Sequence, residues 1–482
     1  MLFVGLALSN VLTKSPEIDE GFFASPAFSL LTQHKFATSV LETAGSNLKG
    51  IDEHTYWIMP LHPLVQVAWY RVFGISLFSL RTLSIAFGLL ALIAMYFIVK
   101  ELSGRLVVAV LTVVLLSFDY TFVINAALGR MDMMCAALGF AALATYLVWR
   151  GRNLALAIVL SQTLVVLSGM THPNGILHFF GLLFIILYFD RKQIRFRHVL
   201  LALIPYVIAG TAWGLYILQD TQAFIAQFGM NSQDGGRLMA LKRPWVGVMR
   251  EFTQRYPHAF GLRVHSAGHS GPIYLKALIL LPHVVAILCC LFVSEIRNNR
   301  GYRALLYLVL IYFLILSLID GQKETPYLIH LFPIYVALLA VCIDWCWRTL
   351  PRLRTVVVAG MCAFAVFEMG AILYRARQNT YRNLYQPVIA FLQSGSGPST
   401  SIIGPSGLAF GLNFSPQFKD DIRMGYYSGH RPKFIVINEE YARSFEESRA
   451  KNAELTRYIN ELLSREYKKV FENDGYTVYQ RL

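Results

Sequence analysis

Charge is scarce in this sequence. Of 482 residues only 15% are Asp, Glu, Lys or Arg, whereas 55% are hydrophobic and 13% aromatic. A chain so poor in charge cannot cover a water-facing surface, which excludes an ordinary soluble domain. Acids are the scarcer sign, 29 against 43 Lys and Arg, for a net charge of +14. Cysteine is sparse too. Cys135, Cys289, Cys290, Cys342, Cys346 and Cys362 all fall inside apolar stretches, so no loop carries a disulfide framework. Cys342 and Cys346, four apart, suit small packing residues better than a metal pair. Three soluble-enzyme signatures are missing: the phosphate-binding GxxxxGK[ST], the HExxH zinc pair and a convincing GxSxG turn.

What the chain does hold is apolar runs. Crossing a bilayer as a helix takes about 20 mostly apolar residues, because every backbone N–H and C=O must be paired within the segment. Such runs lie near 79–100, 105–123, 131–149, 154–170, 174–189, 198–218, 272–294, 303–319, 327–347 and 353–374. The opening run, Met1 to Leu12, is short for a span: either the chain begins within a helix or its start lies upstream. It lacks the basic start and small-residue cleavage site of a signal peptide.

The positive charge has a place. The loops 100–105, 150–152, 190–198, 295–303 and 348–354 hold 14 Lys and Arg; the alternating loops 119–130, 171–173 and 320–326 hold 2. That asymmetry marks the first set as cytoplasmic. It puts the N-terminus inside and the C-terminus outside, with about eleven helices. The basic excess is a topology signal and implies no nucleic-acid partner.

Three regions then fall on the outer side. In the first, about 13–78, Ser15-Pro16 and Ser25-Pro26 suit helix starts. The apolar positions Phe28, Leu31 and Phe36 among polar neighbours suggest helices lying along the membrane, and 60–74 is placed there as well. The second is the polar stretch 219–271. In the third, 375–482, "KFIVINEE" alternates as a strand, a charged helix follows, and the end of the chain reads as a hairpin turning at Asp474-Gly475. This predicts a small α/β domain.

The topology gathers Asp19, Glu20, His62, Arg130, Asp132, His172, His269, Lys323 and Glu324 at one level of one leaflet. Ionisable groups at a membrane edge are costly unless paired or hydrated, so their gathering marks a functional site. Each has a plainer reading. Acids in a first helical turn favour the helix dipole by about 0.3–1 kcal/mol, which alone explains Asp19 and Glu20. Arg130 and Asp132 suit a loop ion pair, His172 a solvated turn, and Lys323 a side chain snorkelling to water. With no nucleotide site, an enzyme here needs a pre-activated substrate already in the membrane.

The residues also resemble a known superfamily. "DEGFFASPAFSLL" resembles the Asp-Glu segment that opens the catalytic loop of GT-C fold glycosyltransferases, and is most similar to protein O-mannosyltransferases and lipid A aminoarabinose transferases. "YWIMPLHPLVQVAWYRVFG" with Arg81, "GRMDMMCAALGFAALATYL", "LSGMTHPNG" and "KETPYLIHLFPIYVAL" follow in the order of that family, covering about 1–350. The resemblance implies a transmembrane GT-C module over 1–374 and an extracytoplasmic domain over 375–482. It implies transfer of a sugar from a polyprenyl-phosphate carrier to a hydroxyl acceptor on protein, lipid or glycan. The setting it implies is the bacterial inner membrane, with the active site on the periplasmic side.

By that resemblance Asp19 is the general base and Asp132 a second catalytic acid, with Glu20 and Arg130 in support. Tyr327 and Lys323 match positions near the donor phosphate. The chain departs from the pattern where a Glu-Lys pair becomes Ile58 and Met59, and where a basic residue becomes Phe22. The phosphate clamp is therefore assigned to His172 and Lys323, with His62. His269 resembles a metal-binding histidine, but its acidic partner is missing, so no metal site is predicted and a divalent cation lacks a complete ligand set. The rival readings are a lipid-linked sugar transporter or flippase, which would place broken, charged helices at the midplane, and an inactive scaffold presenting 375–482.

Overall fold

In the computed structural model, residues 1–46, 48–234, 236–260, 276–397 and 399–482 are described; His269 lies outside them. The chain opens with α1 (Leu2–Thr13), α2 (Ile18–Gln33) and α3 (Leu61–Phe73). The long apolar runs follow as α4 (Leu77–Ser103), α5 (Leu106–Leu116), α6 (Tyr120–Ala126), α7 (Met131–Trp149), α8 (Leu154–Thr171), α9 (Gly175–Asp190) and α10 (Phe196–Ile217). Beyond them come α11 (Thr221–Gly229) and the short α12 (Met239–Lys242), α13 (Pro244–Arg250) and α14 (Tyr256–Ala259). The membrane part is completed by α15 (Lys276–Phe292), α16 (Ser294–Asn298), α17 (Arg300–Ile319), α18 (Phe332–Thr349) and α19 (Arg354–Arg377).

Among the described residues seven helices are long and apolar enough to cross a membrane, eight if the bent pair α5 and α6 is one span. Three further apolar helices, including α1 and α9, are shorter, so length and composition alone do not reach the expected eleven spans. Two runs also differ from the expected continuous helices. The run 105–123 bends by 62° between α5 and α6. There Asp119 takes the Phe122 N–H on its side chain (2.7 Å) and starts a new helix. The run 327–347 begins as a 3-10 turn over Thr325–His330, and only then becomes α18.

Similar apolar sequences have opposite fates. α7 is the centre of the bundle, with α4, α8 and α9 around it, and Ala136, Ala137, Gly139 and Phe140 allow that close packing. α10 buries none of its apolar window; Val207 and Ile208 are about two-thirds exposed, as a lipid-facing helix requires.

Past α20 (Gln386–Gly395) a five-stranded sheet forms from β1 (Ile402–Ile403), β2 (Phe418–Lys419), β3 (Phe434–Asn438), β4 (Tyr467–Glu472) and β5 (Tyr476–Arg481), in the order β2-β1-β3-β5-β4. β1 runs parallel to β2 and β3; β5 is antiparallel to β3 and β4, with Val436 opposite Val478. The expected hairpin is present, and α21 (Glu439–Lys451) and α22 (Ala453–Arg465) precede it. Ala24 and Ala27 of α2 share a core with Ile402, Leu408, Phe434 and Val436, so the sheet packs on the helix that carries Asp19. Each large apolar side chain buried there contributes about 1.5–3 kcal/mol. Ser406 donates to the Ile18 carbonyl (2.6 Å), and Asp420 and Val40 join through the backbone (2.7 Å).

Candidate active site

α2 begins with a reciprocal cap: the Glu17 side chain takes a first-turn N–H, and Glu20 takes the Glu17 N–H (2.9 Å). That cap fixes the first turn, and because successive residues in a helix point about 100° apart, Asp19 and Glu20 face different surroundings. Glu20 points inward. Arg81 of α4 grips both its oxygens at 2.7 Å, and the Gly129 N–H adds a further bond at 2.7 Å. Arg81 spends its other N–H groups on the carbonyls of Val11, Lys14 and Ser15 (2.7–3.0 Å). Both side chains are fully buried. Any side chain at residue 129 would force Leu80 to move: a Cβ there would sit 2.4 Å from Leu80 and 3.0 Å from Glu20.

Asp19 points the other way and stays 42% exposed. Its carboxylate is ion-paired with Arg130, which precedes α7, and the same guanidinium bonds to Asp132 in the first turn of α7 (2.8 Å). Asp132 is buried, and its second oxygen, Oδ1, has no hydrogen-bond partner. Arg130 also lies over the Phe23 ring (5.5 Å). Phe22 and Ile58, two of the positions where the chain departs from the family pattern, join Phe23, Trp57 and Met131 in an apolar cluster against it. Charged side chains are thus replaced by a shelf of aromatic and aliphatic surface.

His172 follows α8 and is half-buried, its Nδ1 accepting the Asn174 N–H (3.0 Å), with its ring 5.0 Å from that of Tyr327. Burial pushes its imidazole down to about 4, against the opposing pull of Asp132, so it is neutral at pH 7. His62 is buried in α3, shares a 3.1 Å hydrogen bond with Gln66 and is likewise lowered to about 4 by burial. Neither histidine carries the charge that a phosphate clamp would draw on.

Lys323 is buried and already committed: its ammonium bonds Glu251 and the Ser317 carbonyl, each at 2.8 Å. Glu251 also holds Arg255 (2.8 Å), which reaches Asp320 (3.0 Å) and the Glu324 carbonyl (2.8 Å). The cation that sequence reasoning missed is Arg237. It donates to the Tyr327 hydroxyl (2.8 Å) and to Asn231 (3.1 Å), and lies 3.9 Å from Asp320. It keeps about a quarter of its side chain exposed. Its loop is pinned by the Gly321 N–H bonding its carbonyl (2.8 Å), an approach that a Cβ on Gly321 would block by meeting the Gly236 carbonyl at 2.1 Å. A lone arginine after "DGG" carries no signal of its own in the sequence. Burial raises the Glu324 carboxyl above its usual range, against the pull of Arg130.

The structure therefore brings Asp19, Arg130 and Asp132 into one contact group and sets His172, tilted at 57°, against Tyr327, which Arg237 holds. Lys323 and Glu20 lie in neighbouring closed circuits. Arg130 and Asp132 open α7 and His172 follows α8, whereas Arg150 closes α7 at the opposite end and pairs with Asp190 (2.9 Å).

No family model and no curated protein matches the sequence. Solved structures do. ArnT from Cupriavidus metallidurans bound to undecaprenyl phosphate superposes with a TM-score of 0.61 at 16% identity, covering 100% of this chain and 97% of that one. The same protein in its apo state gives 0.62 at 15%, with the same coverage. The archaeal oligosaccharyltransferase AglB from Archaeoglobus fulgidus, in complex with an inhibitory peptide and a dolichol-phosphate, gives 0.53 at 13%, covering 92% of this chain and 70% of that one. At such identities the likeness is one of architecture, and it assigns this chain the GT-C fold.

Proposed function

We propose that this protein is a glycosyltransferase that moves a sugar from a polyprenyl-phosphate carrier to a hydroxyl acceptor on the extracytoplasmic face, with Asp19 as general base. One observation carries the reading: Asp19 is the accessible carboxylate of an otherwise buried acid–arginine group. The two neighbours captured with polyprenyl-type phosphates share the fold, which supports a lipid-phosphate donor. The basic loops at the opposite helix ends support the outward sidedness.

In the reaction the acceptor oxygen attacks the anomeric carbon as its proton passes to Asp19. The bond between that carbon and the phosphate oxygen breaks, and the electron pair leaves with the phosphate. Arg237 and Arg130 supply the positive charge and N–H donors that the departing phosphate needs. A phosphate that draws Arg130 away frees Asp19 to act as a base. His172 and Tyr327, side by side next to Arg237, offer neutral hydrogen bonds. His62 and Lys323 serve by holding this arrangement.

Purified protein in liposomes, supplied with an undecaprenyl-phosphate-linked sugar, tests the reading. Wild type is expected to release free carrier phosphate as sugar appears on the acceptor; Asp19→Asn keeps its fold and loses about 10²–10⁴ in rate. Full turnover in that variant refutes the assignment, and sugar-lipid flux without transfer points to the flippase instead.

A further inference from the structure

A second polar cluster lies inside the helical bundle. Asp119 sits at the break between α5 and α6, His283 in α15 and Glu368 in α19, and all three are fully buried. Each acid spends one oxygen on a helix start. Asp119 Oδ1 takes the Phe122 N–H, and Glu368 Oε2 takes the Tyr120 N–H, both at 2.7 Å. The remaining atoms, Asp119 Oδ2, Glu368 Oε1 and both His283 ring nitrogens, have no hydrogen-bond partner. Asp119 Oδ2 stands 3.8 Å from His283 Nε2, and one donor atom from each residue lies within 4.8 Å of the others.

Buried carboxylates are normally matched by a cation. Among the described residues no Lys or Arg comes within ion-pair distance of Asp119 or Glu368; instead, Phe332 and Phe364 stand edge-on to His283, 5.3 and 5.8 Å away. We propose that Asp119, His283 and Glu368 bind one first-row divalent cation, with Zn²⁺ the best match. Two carboxylates balance its charge, and an imidazole with two carboxylate oxygens favours Zn²⁺ over Mg²⁺ or Ca²⁺. Tetrahedral ligands at about 2.1 Å stand about 3.4 Å apart, so small rotations close the site. The peptide N–H bonds already orient both acids from behind, as outer partners of metal ligands do.

The cation would fasten the α5–α6 break to α15 and α19. α6 leads within four residues to Arg130, so the site is placed to steady the loop that brings Arg130 and Gly129 to α2. The inference concerns these residues alone and stands whatever reaction the active site performs.

Metal analysis of the purified full-length protein tests it. The expected result is one Zn²⁺ per chain, present as purified or after Zn²⁺ addition, and exchangeable for Co²⁺ with the visible absorption of a tetrahedral ion. Glu368→Gln and His283→Ala are expected to lose it while eluting as folded protein. His283→Cys is expected to keep Co²⁺ and add a thiolate charge-transfer band. Wild type that holds no metal after addition of Zn²⁺, Mn²⁺ or Co²⁺ overturns the proposal, as does metal retained by both His283→Ala and Glu368→Gln. If those two variants fail to fold, His283→Cys decides: Co²⁺ bound without the new band overturns it.

Discussion

Two arginine–carboxylate stations stand side by side at the start of α2 and differ in one respect. Arg81 and Glu20 are sealed, and all five N–H groups of Arg81 are used. Arg130 serves Asp19 and Asp132 at once, and Asp19 opens to solvent. The sealed pair can only hold the chain in place. The open one has a carboxylate that a substrate can reach and a guanidinium that an anion can capture. Adjacent acids in sequence thus divide into a sealed carboxylate and an open one, because a helical turn points them apart.

Removing Arg81 tests the sealed side and has the largest expected effect. Arg81→Ala leaves Glu20 buried and uncompensated, a loss of about 3–5 kcal/mol. It should appear as a collapse of the unfolding midpoint in detergent, or as no folded protein. Asp19→Asn tests the open side. Its midpoint is expected to stay near wild type while transfer falls by the factor given above; an equal loss of stability would erase the distinction between the stations. Arg237→Gln comes next. Losing one charge-assisted contact worth about 1.5–3 kcal/mol predicts a roughly 10- to 100-fold fall in kcat/KM for the lipid-phosphate donor. A change confined to the acceptor KM would move Arg237 out of the donor side.

The smallest effect concerns pH. His172 is held near 4 when folded, against an ordinary value of about 6.5, so between those values the unfolded chain binds more protons. Stability from this group is whole above about pH 6.5 and is lost as pH falls toward 4. Thermal melts across that window are expected to show a shallower acid decline in His172→Gln than in wild type. Equal slopes would mean that the imidazole is solvated.

Much of this was legible in the sequence, and the exceptions share a cause. Asp19, Arg130 and Asp132 stand out because ionisable residues beside apolar runs are rare, and alternating basic loops put them at one level. Tyr327 and Lys323 came with the family resemblance, but the partner of Lys323 is Glu251, 72 positions away, and nothing local announces it. Arg237 lies in a polar loop where arginine is unremarkable. His283 and Glu368 did carry a signal, an ionisable residue inside an apolar run, but only a bundle that brings α6, α15 and α19 together gives it meaning.

By itself the sequence determined the helical, membrane-spanning character of the apolar runs and the terminal hairpin, though not the count of spans, because backbone groups in lipid must be paired locally and alternation with Asp-Gly dictates a turn. Hydropathy reads 105–123 as one continuous span and misses the break where Asp119 caps a new helix. Only the tertiary structure decided that α7 is central and α10 faces lipid, though both are apolar. It also decided that Glu20 is sealed while Asp19 is open, and that the C-terminal sheet braces α2. Those outcomes depend on which faces meet across hundreds of residues, and hydropathy, which is summed along the chain, does not encode them.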